Sequence, residues 1–200
     1  MNDTEYLDLL LTIKLPGVED DGVVIGIRYH DVPAALRKSF DEFMNGQGCP
    51  VIGGEVCVWQ YDWERFLGRE TKRHFRRMRI VSLALGQDGP GLGDLDGAPM
   101  LSEWIVVRDP EMGRPILLGT PAGHPTCRGP LTRTSMLCGL DADLKWARTQ
   151  SRWYNLRQMS SFEALSTAYP EKLRGAAGFV LTIAEARALI LEDLENFGLA

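Results

Sequence analysis

Apolar residues recur at helical spacing from Thr4 to Ile13, which predicts a short helix ended by Pro16 and Gly17; GVVIGIRY, residues 22–29, then predicts a strand. Asp31 is placed to cap a second helix, with Pro33 in its first turn, where a missing amide hydrogen costs least. Leu36, Phe40, Phe43 and Met44 share one face of that helix, and Asn45-Gly46 supplies its stop. In PVIGGEVCVW two apolar, β-branched runs flank Gly53-Gly54, the pattern of a two-residue hairpin whose turn needs positive φ. Asp62 then caps a helix beginning WERFL, which Gly68 weakens without ending.

The next stretch, RETKRHFRRMR at 69–79, has two possible periods. As a helix it puts Arg69, Lys72, Arg73, Arg76 and Arg77 on one face and turns Phe66, Leu67, Phe75 and Met78 inward. As a strand it mixes charge into both faces, so the helix is the cleaner fit up to about Met78. IVSLAL, residues 80–85, reads as a strand, and the five glycines and two prolines of residues 86–99 read as a long loop or hinge. LSEWIVV and RPILLG form a hairpin about DPEMG, and LTRTSMLCGL pairs with LKWART around Asp141 to Asp143. Ser160 with Glu163 and Thr182 with Glu185 fit the capping box, and the last helix directs Ile183, Leu189, Ile190, Leu194 and Phe197 toward a core. The pattern predicts an α+β fold, with antiparallel β-hairpins in the middle of the chain and flanking N-terminal and C-terminal helices. It is expected as one domain, 1–200, or as two lobes, 1–85 and 100–200, joined by the loop 86–99.

Charge changes this picture more than composition does. The chain has 200 residues and a formal charge of −5, which argues against a general coat for nucleic acid. Residues 65–79 nevertheless hold seven Lys or Arg against Glu70 alone, a local +6 that leaves −11 for the rest. A basic island on an acidic body is the most informative electrostatic feature of the sequence. The apolar run from Leu9 to Ile13 is too short for a leader core, and no stretch approaches the ~20 apolar residues of a membrane span. The expectation is a cytoplasmic protein, with no membrane association and with Cys49, Cys57, Cys127 and Cys138 as free thiols.

Chemistry-bearing groups are few. Arginine binds phosphate and carboxylate in the same bidentate way, so Arg69, Lys72, Arg73, Arg76, Arg77 and Arg79 are the first candidates for binding. In KWARTQSRWY, residues 145–154, Arg148, Arg152 and Trp153 form a second candidate surface, because Trp and Arg dominate interface hot spots; the alternative is a hairpin that packs into the core. GPGLG lacks the Lys-Ser or Lys-Thr of a phosphate loop, and Asp88, Asp94 and Asp96 lack calcium-loop spacing. His124-x-x-Cys127 with Cys138 has zinc-compatible ligands but no CxxC pair. The acid pairs Asp62/Glu64 and Asp141/Asp143 fall where helix starts and turns favour acids. No cofactor and no metal is expected.

The segment GHPTCRGPLTRTSMLCGLDADLKWARTQSRWYNL resembles a pattern of small uncharacterised bacterial proteins, some from phages and other mobile elements. The likeness covers about residues 119–157, and WART-x-SRWY is its most specific part. It implies a bacterial or phage-infected cytoplasm and an accessory gene, and it carries no activity or site residue over. The favoured expectation is a non-catalytic binding protein that sets residues 65–79 against nucleic acid or an acidic protein surface, as a mobile-element regulator or an inhibitor of a nucleic-acid-handling host complex would. The alternative is a small hydrolase or transferase with a site between two lobes, drawing on His124, Cys127 or Asp62. Catalytic residues, oligomeric state and a purely structural role are not readable from the pattern.

Overall fold

A computed structural model describes residues 3–13, 24–127 and 129–200. The architecture is α+β, and the chain divides into two units between Arg77 and Met78.

In the first unit, α1 (Asp3–Thr12) and α2 (Ala34–Gln47) accompany a three-stranded antiparallel sheet of β1 (Val24–Ile27), β2 (Val51–Ile52) and β3 (Glu55–Trp59), in the order β1-β3-β2. The Gly53-Gly54 turn joins β2 to β3 with both glycines at positive φ, as its sequence requires. Leu36, Phe40 and Phe43 line the buried face of α2 and meet Ile25, Ile27, Val58, Trp63 and Phe66 in one core. Asn45-Gly46 does not stop α2, which runs on to Gln47 and is C-capped by Gly48 in the left-handed conformation; its start differs as well. Pro33, and not Asp31, is the N-cap of α2, because Asp31 lies in the preceding 3-10 turn Tyr29–Asp31. The expected stop at Pro16-Gly17 lies outside the described residues.

α3 (Gln60–Asp88) is the longest element, beginning in the first unit and ending in the second. Asp62 sits inside its first turn, paired with Arg65 at 3.2 Å, and does not cap it. IVSLAL is not a strand but the last third of this helix. Its β-branched residues suggest extension locally, yet Arg79, Ser82, Leu83 and Gly86 are buried at helical intervals of three, one and three, and that packing overrides local preference. Gly86 therefore belongs to a helix and not to the loop, which begins at Gly89.

Beyond α3 the second unit is built on β4 (Met100–Arg108), β5 (Pro115–Ala122), β6 (Thr132–Arg133), β7 (Leu137–Leu140), β8 (Trp146–Thr149) and β9 (Trp153–Leu156). These run in the order β6-β5-β4-β9-β8-β7. The hairpins β4–β5 and β7–β8 fall where the sequence places them, whereas β9 joins β4 in parallel through only two residue pairs. α4 (Phe162–Ala168) is capped by Ser161, whose hydroxyl accepts the Ala164 amide at 3.2 Å, one residue later than the expected Ser160. α5 (Pro170–Leu173) and a two-residue strand, β10 (Val180–Leu181), precede α6 (Ile183–Asn196). Thr182 and Glu185 form the complete capping box of α6.

β4 is buried on both faces. Val106 and Leu117 pack toward Ile190 and Leu194 of α6, and Ile105, Val107 and Ile116 toward Leu165 and Leu173. At Gly86 the helix backbone touches β7 directly: a Cβ there would stand 2.4 Å from the Cys138 carbonyl oxygen. Gly86→Ala is therefore expected to lower stability by about 1–3 kcal/mol in urea unfolding, although alanine is the better helix former. An unchanged midpoint would mean that this backbone contact is not made.

Candidate functional site

The sequence alternates along α3 so that one stripe turns inward and another outward. The inward stripe of its first half is Trp63, Phe66, Glu70 and His74, all buried. Phe75, expected inside, is 41% exposed, because the helix turns the two polar residues inward in its place. His74 lies against Tyr6 of α1 with ring centroids 5.1 Å apart. Burial and the nearby Glu70 carboxylate together push the Tyr6 phenol up.

The outward stripe carries Arg65, Arg69, Lys72, Arg73, Arg76 and Arg77, every one exposed. Glu70 lies beneath them, with Arg69 Nε at 3.5 Å and Arg73 Nη1 at 3.7 Å from its Oε1. One buried carboxylate thus orients two surface arginines. Aromatic rings add to this: Arg65 lies over Tyr61 at 5.6 Å, and Arg69 itself over Phe43 and Phe66 at 5.7 and 5.8 Å. A guanidinium held flat against a ring loses less freedom on binding than a free one, so the arrangement favours recognition.

Two shallow concavities run along this stripe. The first, about 470 Å³, lies between α2 and α3, with Phe43 beneath and Gln47, Arg65, Gly68, Arg69 and Lys72 around it. The second, about 440 Å³, shares Arg69 and Lys72 and adds Arg73, Arg76 and Glu42. Cations dominate the charged lining of both, and among the described residues Glu42 is the only acid lining either. Gly68 is informative here. Glycine within a helix costs about 1 kcal/mol relative to alanine. Among the described residues a Cβ at Gly68 would meet nothing within 4 Å, so their packing does not demand glycine there. Its smallness instead leaves the first concavity open down to the helix backbone.

The remaining expected binding residues lie elsewhere. Arg79 is only 5% exposed: its Nε donates to Asp193 Oδ2 at 3.1 Å, and its Nη1 lies 3.2 Å from Cys138 Sγ. It belongs to the core of the second unit and is removed from the surface set. Burial pushes the Cys138 thiol up to about 11, against the pull of Arg79. Trp153, at 7% exposure, is also core; it meets Trp146 edge-on at 5.3 Å, since β9 is an interior strand. Arg148 is half-buried, lies over the Trp153 ring at 5.4 Å and donates to the Ser82 hydroxyl at 3.3 Å; Arg152 is half-buried as well. The KWARTQSRWY hairpin is thus packed inward and offers no Trp anchor.

His124 holds its own turn. Its Nδ1 accepts the amides of Cys127 at 2.9 Å and Thr126 at 3.2 Å, which places the ring proton on Nε2, 3.1 Å from the Tyr154 hydroxyl. Burial and the charge of Arg152 push its pKa down. Cys127 Sγ accepts the Thr132 hydroxyl at 3.1 Å. Asp94 accepts the Gly91 amide at 2.8 Å, and Asp141 the Lys145 amide at 2.9 Å, each closing a turn. Among the described residues no three His, Cys, Asp or Glu side chains are grouped to hold a metal, and no helix is long and apolar enough to cross a membrane.

Two contributors escape a reading of the basic segment alone. Tyr61, 69% exposed, stands one turn before Arg65 on the same side of α3, and Gln47 enters from α2. Tyr61 lies outside the run of charges, and Gln47 is brought in by packing of the two helices.

No curated protein and no solved structure matches the chain. One family model does, over residues 71–190, from the middle of α3 through most of α6. That span includes the WART-x-SRWY segment and exceeds half of the sequence, and on it the chain belongs to DUF6634, a family of unknown function.

Proposed function

We propose that the protein is a non-catalytic binding protein that lays the basic stripe of α3 along a polyanion, either nucleic acid or an acidic protein surface. The observation that carries this reading is the convergence of Arg65, Arg69, Lys72, Arg73 and Arg76 on two adjoining concavities in an otherwise acidic chain. Opposing charges draw partners in and fix their register, and a stripe of one sign on a body of the other does so directionally. A regulator carried by a bacterial mobile element, or an inhibitor of a nucleic-acid-handling host complex, would need such a surface. The bacterial or phage context implied by WART-x-SRWY belongs to this same reading. The hydrolase or transferase alternative draws less support from the geometry, since His124 Nδ1 holds its own turn, its Nε2 faces the Tyr154 hydroxyl, and Asp62 is paired with Arg65.

Immobilised heparin tests the reading, because it offers dense negative charge without bases or a protein fold. The protein is expected to be retained at about 50 mM KCl and released well before about 500 mM, as contacts with a polyanion weaken steeply with salt. Passage through the matrix at low salt would count against it.

A further inference from the structure

We infer that the partner of this stripe is a single-stranded nucleic acid, with Tyr61 as a stacking platform for a base and Gly68 as the gap through which the strand approaches the helix. The inference rests on the polyanion reading and deepens it.

Three features of the stripe carry it. The first is linearity. Tyr61, Arg65, Arg69, Lys72 and Arg76 follow one another at helical intervals of three or four along one side of α3, with Gly68 beside Arg69, spanning about 22 Å at 1.5 Å per residue. A row of cations repeated along one side of a helix, flanked by Arg73 and Arg77, complements a flexible chain with one charge per unit. A folded acidic surface spreads its carboxylates in two dimensions and would leave much of that row unmatched.

The second is the aromatic at the head of the row. Tyr61 is 69% exposed, and the Arg65 guanidinium lies over its ring at 5.6 Å. Trp59, two residues earlier at the end of β3, is also 56% exposed. An exposed ring followed by a track of guanidinium groups is the arrangement that binds unpaired bases and their phosphates together. In a duplex the base faces are already stacked, so Tyr61 would add little.

The third is Gly68, which lines the concavity together with Arg65, Arg69 and Lys72. Among the described residues a Cβ there would meet nothing within 4 Å, so internal packing does not account for the glycine and an approach from outside does. Its lack of a side chain lets a sugar or base lie close to the helix, while the cations on either side reach the flanking phosphates.

Fluorescence anisotropy with a labelled oligo-dT of about 15 nucleotides tests this, alongside a duplex of the same length and polyglutamate. Wild-type protein is expected to bind oligo-dT more tightly than either comparator. Tyr61→Ala should weaken that binding about tenfold without changing its dependence on salt, because a stacking contact releases no counterion. Tyr61→Phe, which keeps the ring, should bind as wild type. Gly68→Leu should weaken oligo-dT binding about tenfold while raising the unfolding midpoint, which separates a blocked site from a damaged fold. If Tyr61→Ala and Gly68→Leu both bind as wild type while binding stays salt-dependent, the single-strand inference is overturned and the polyanion reading stands. Tighter binding of the duplex or of polyglutamate overturns it as well and gives the stripe to that partner. Failure of all three probes, together with passage through heparin, overturns the polyanion reading itself.

Discussion

Reversing Arg73, Arg76 and Arg77 together to glutamate is expected to abolish retention on heparin and binding to oligo-dT at about 50 mM KCl, while leaving the thermal unfolding midpoint within a few degrees of wild type. All three side chains are exposed, so the substitutions open no cavity. Arg73 lies 3.7 Å from Glu70, which keeps Arg69 at 3.5 Å after the change, so the buried carboxylate retains one cation. Binding should respond far more strongly than stability. Each arginine that contacts a phosphate contributes about one unit to the slope of log affinity against log salt, so removing three lowers that slope by about three before repulsion is added. Two milder variants sharpen the test. Replacing the same residues by glutamine should leave weak binding with a shallower salt slope, whereas Arg79→Gln should destabilise the protein without removing the surface charge that binds. Binding by the triple glutamate variant equal to wild type would place the interface elsewhere and end the case for α3.

The sequence is legible where a few neighbouring residues decide the outcome. Gly53-Gly54 specifies its turn because only residues tolerant of positive φ fit there, and Thr182 with Glu185 closes a capping box within four residues. The basic stripe is legible for the same reason, as helical spacing alone puts Arg69, Lys72, Arg73 and Arg76 together. What is not legible depends on distant residues. IVSLAL looks extended until Ser82 is seen donating to the Gln150 carbonyl at 2.8 Å and Gly86 lying on β7. Arg79 looks like one more surface cation because its partner, Asp193, is 114 residues away. Trp153 looks like an anchor until β9 is found between β4 and β8. At the site, Gly68 reads as a weak point in a helix; only the helix α2 beside it, with Phe43 and Gln47, makes it the opening of a concavity.

Asp193→Ala is expected to be the most destabilising single substitution in the second unit, costing about 3–5 kcal/mol in urea unfolding. Asp193 is 4% exposed on α6 and receives two arginines: Arg79 from α3, through Nε and Nη2, and Arg114 from the turn between β4 and β5, whose Nη2 lies 3.0 Å from Oδ1. Arg114 is partly exposed and also reaches Glu192 at 3.2 Å, so it keeps a partner when Asp193 is lost. Among the described residues Arg79 keeps only a contact with the Cys138 sulfur, a weak acceptor that burial holds in its neutral form. Its charge would then be buried without compensation, a larger penalty than the pair's own net contribution. The distinction can be measured. Removing both charges, with Arg79→Met and Asp193→Leu together, should recover most of the stability lost in Asp193→Ala, since two apolar groups of similar size leave no charge to solvate. A cost below about 1 kcal/mol for Asp193→Ala would mean that water reaches Arg79. The double variant should still bind heparin and oligo-dT as wild type, because neither Arg79 nor Asp193 lines the concavities on α3.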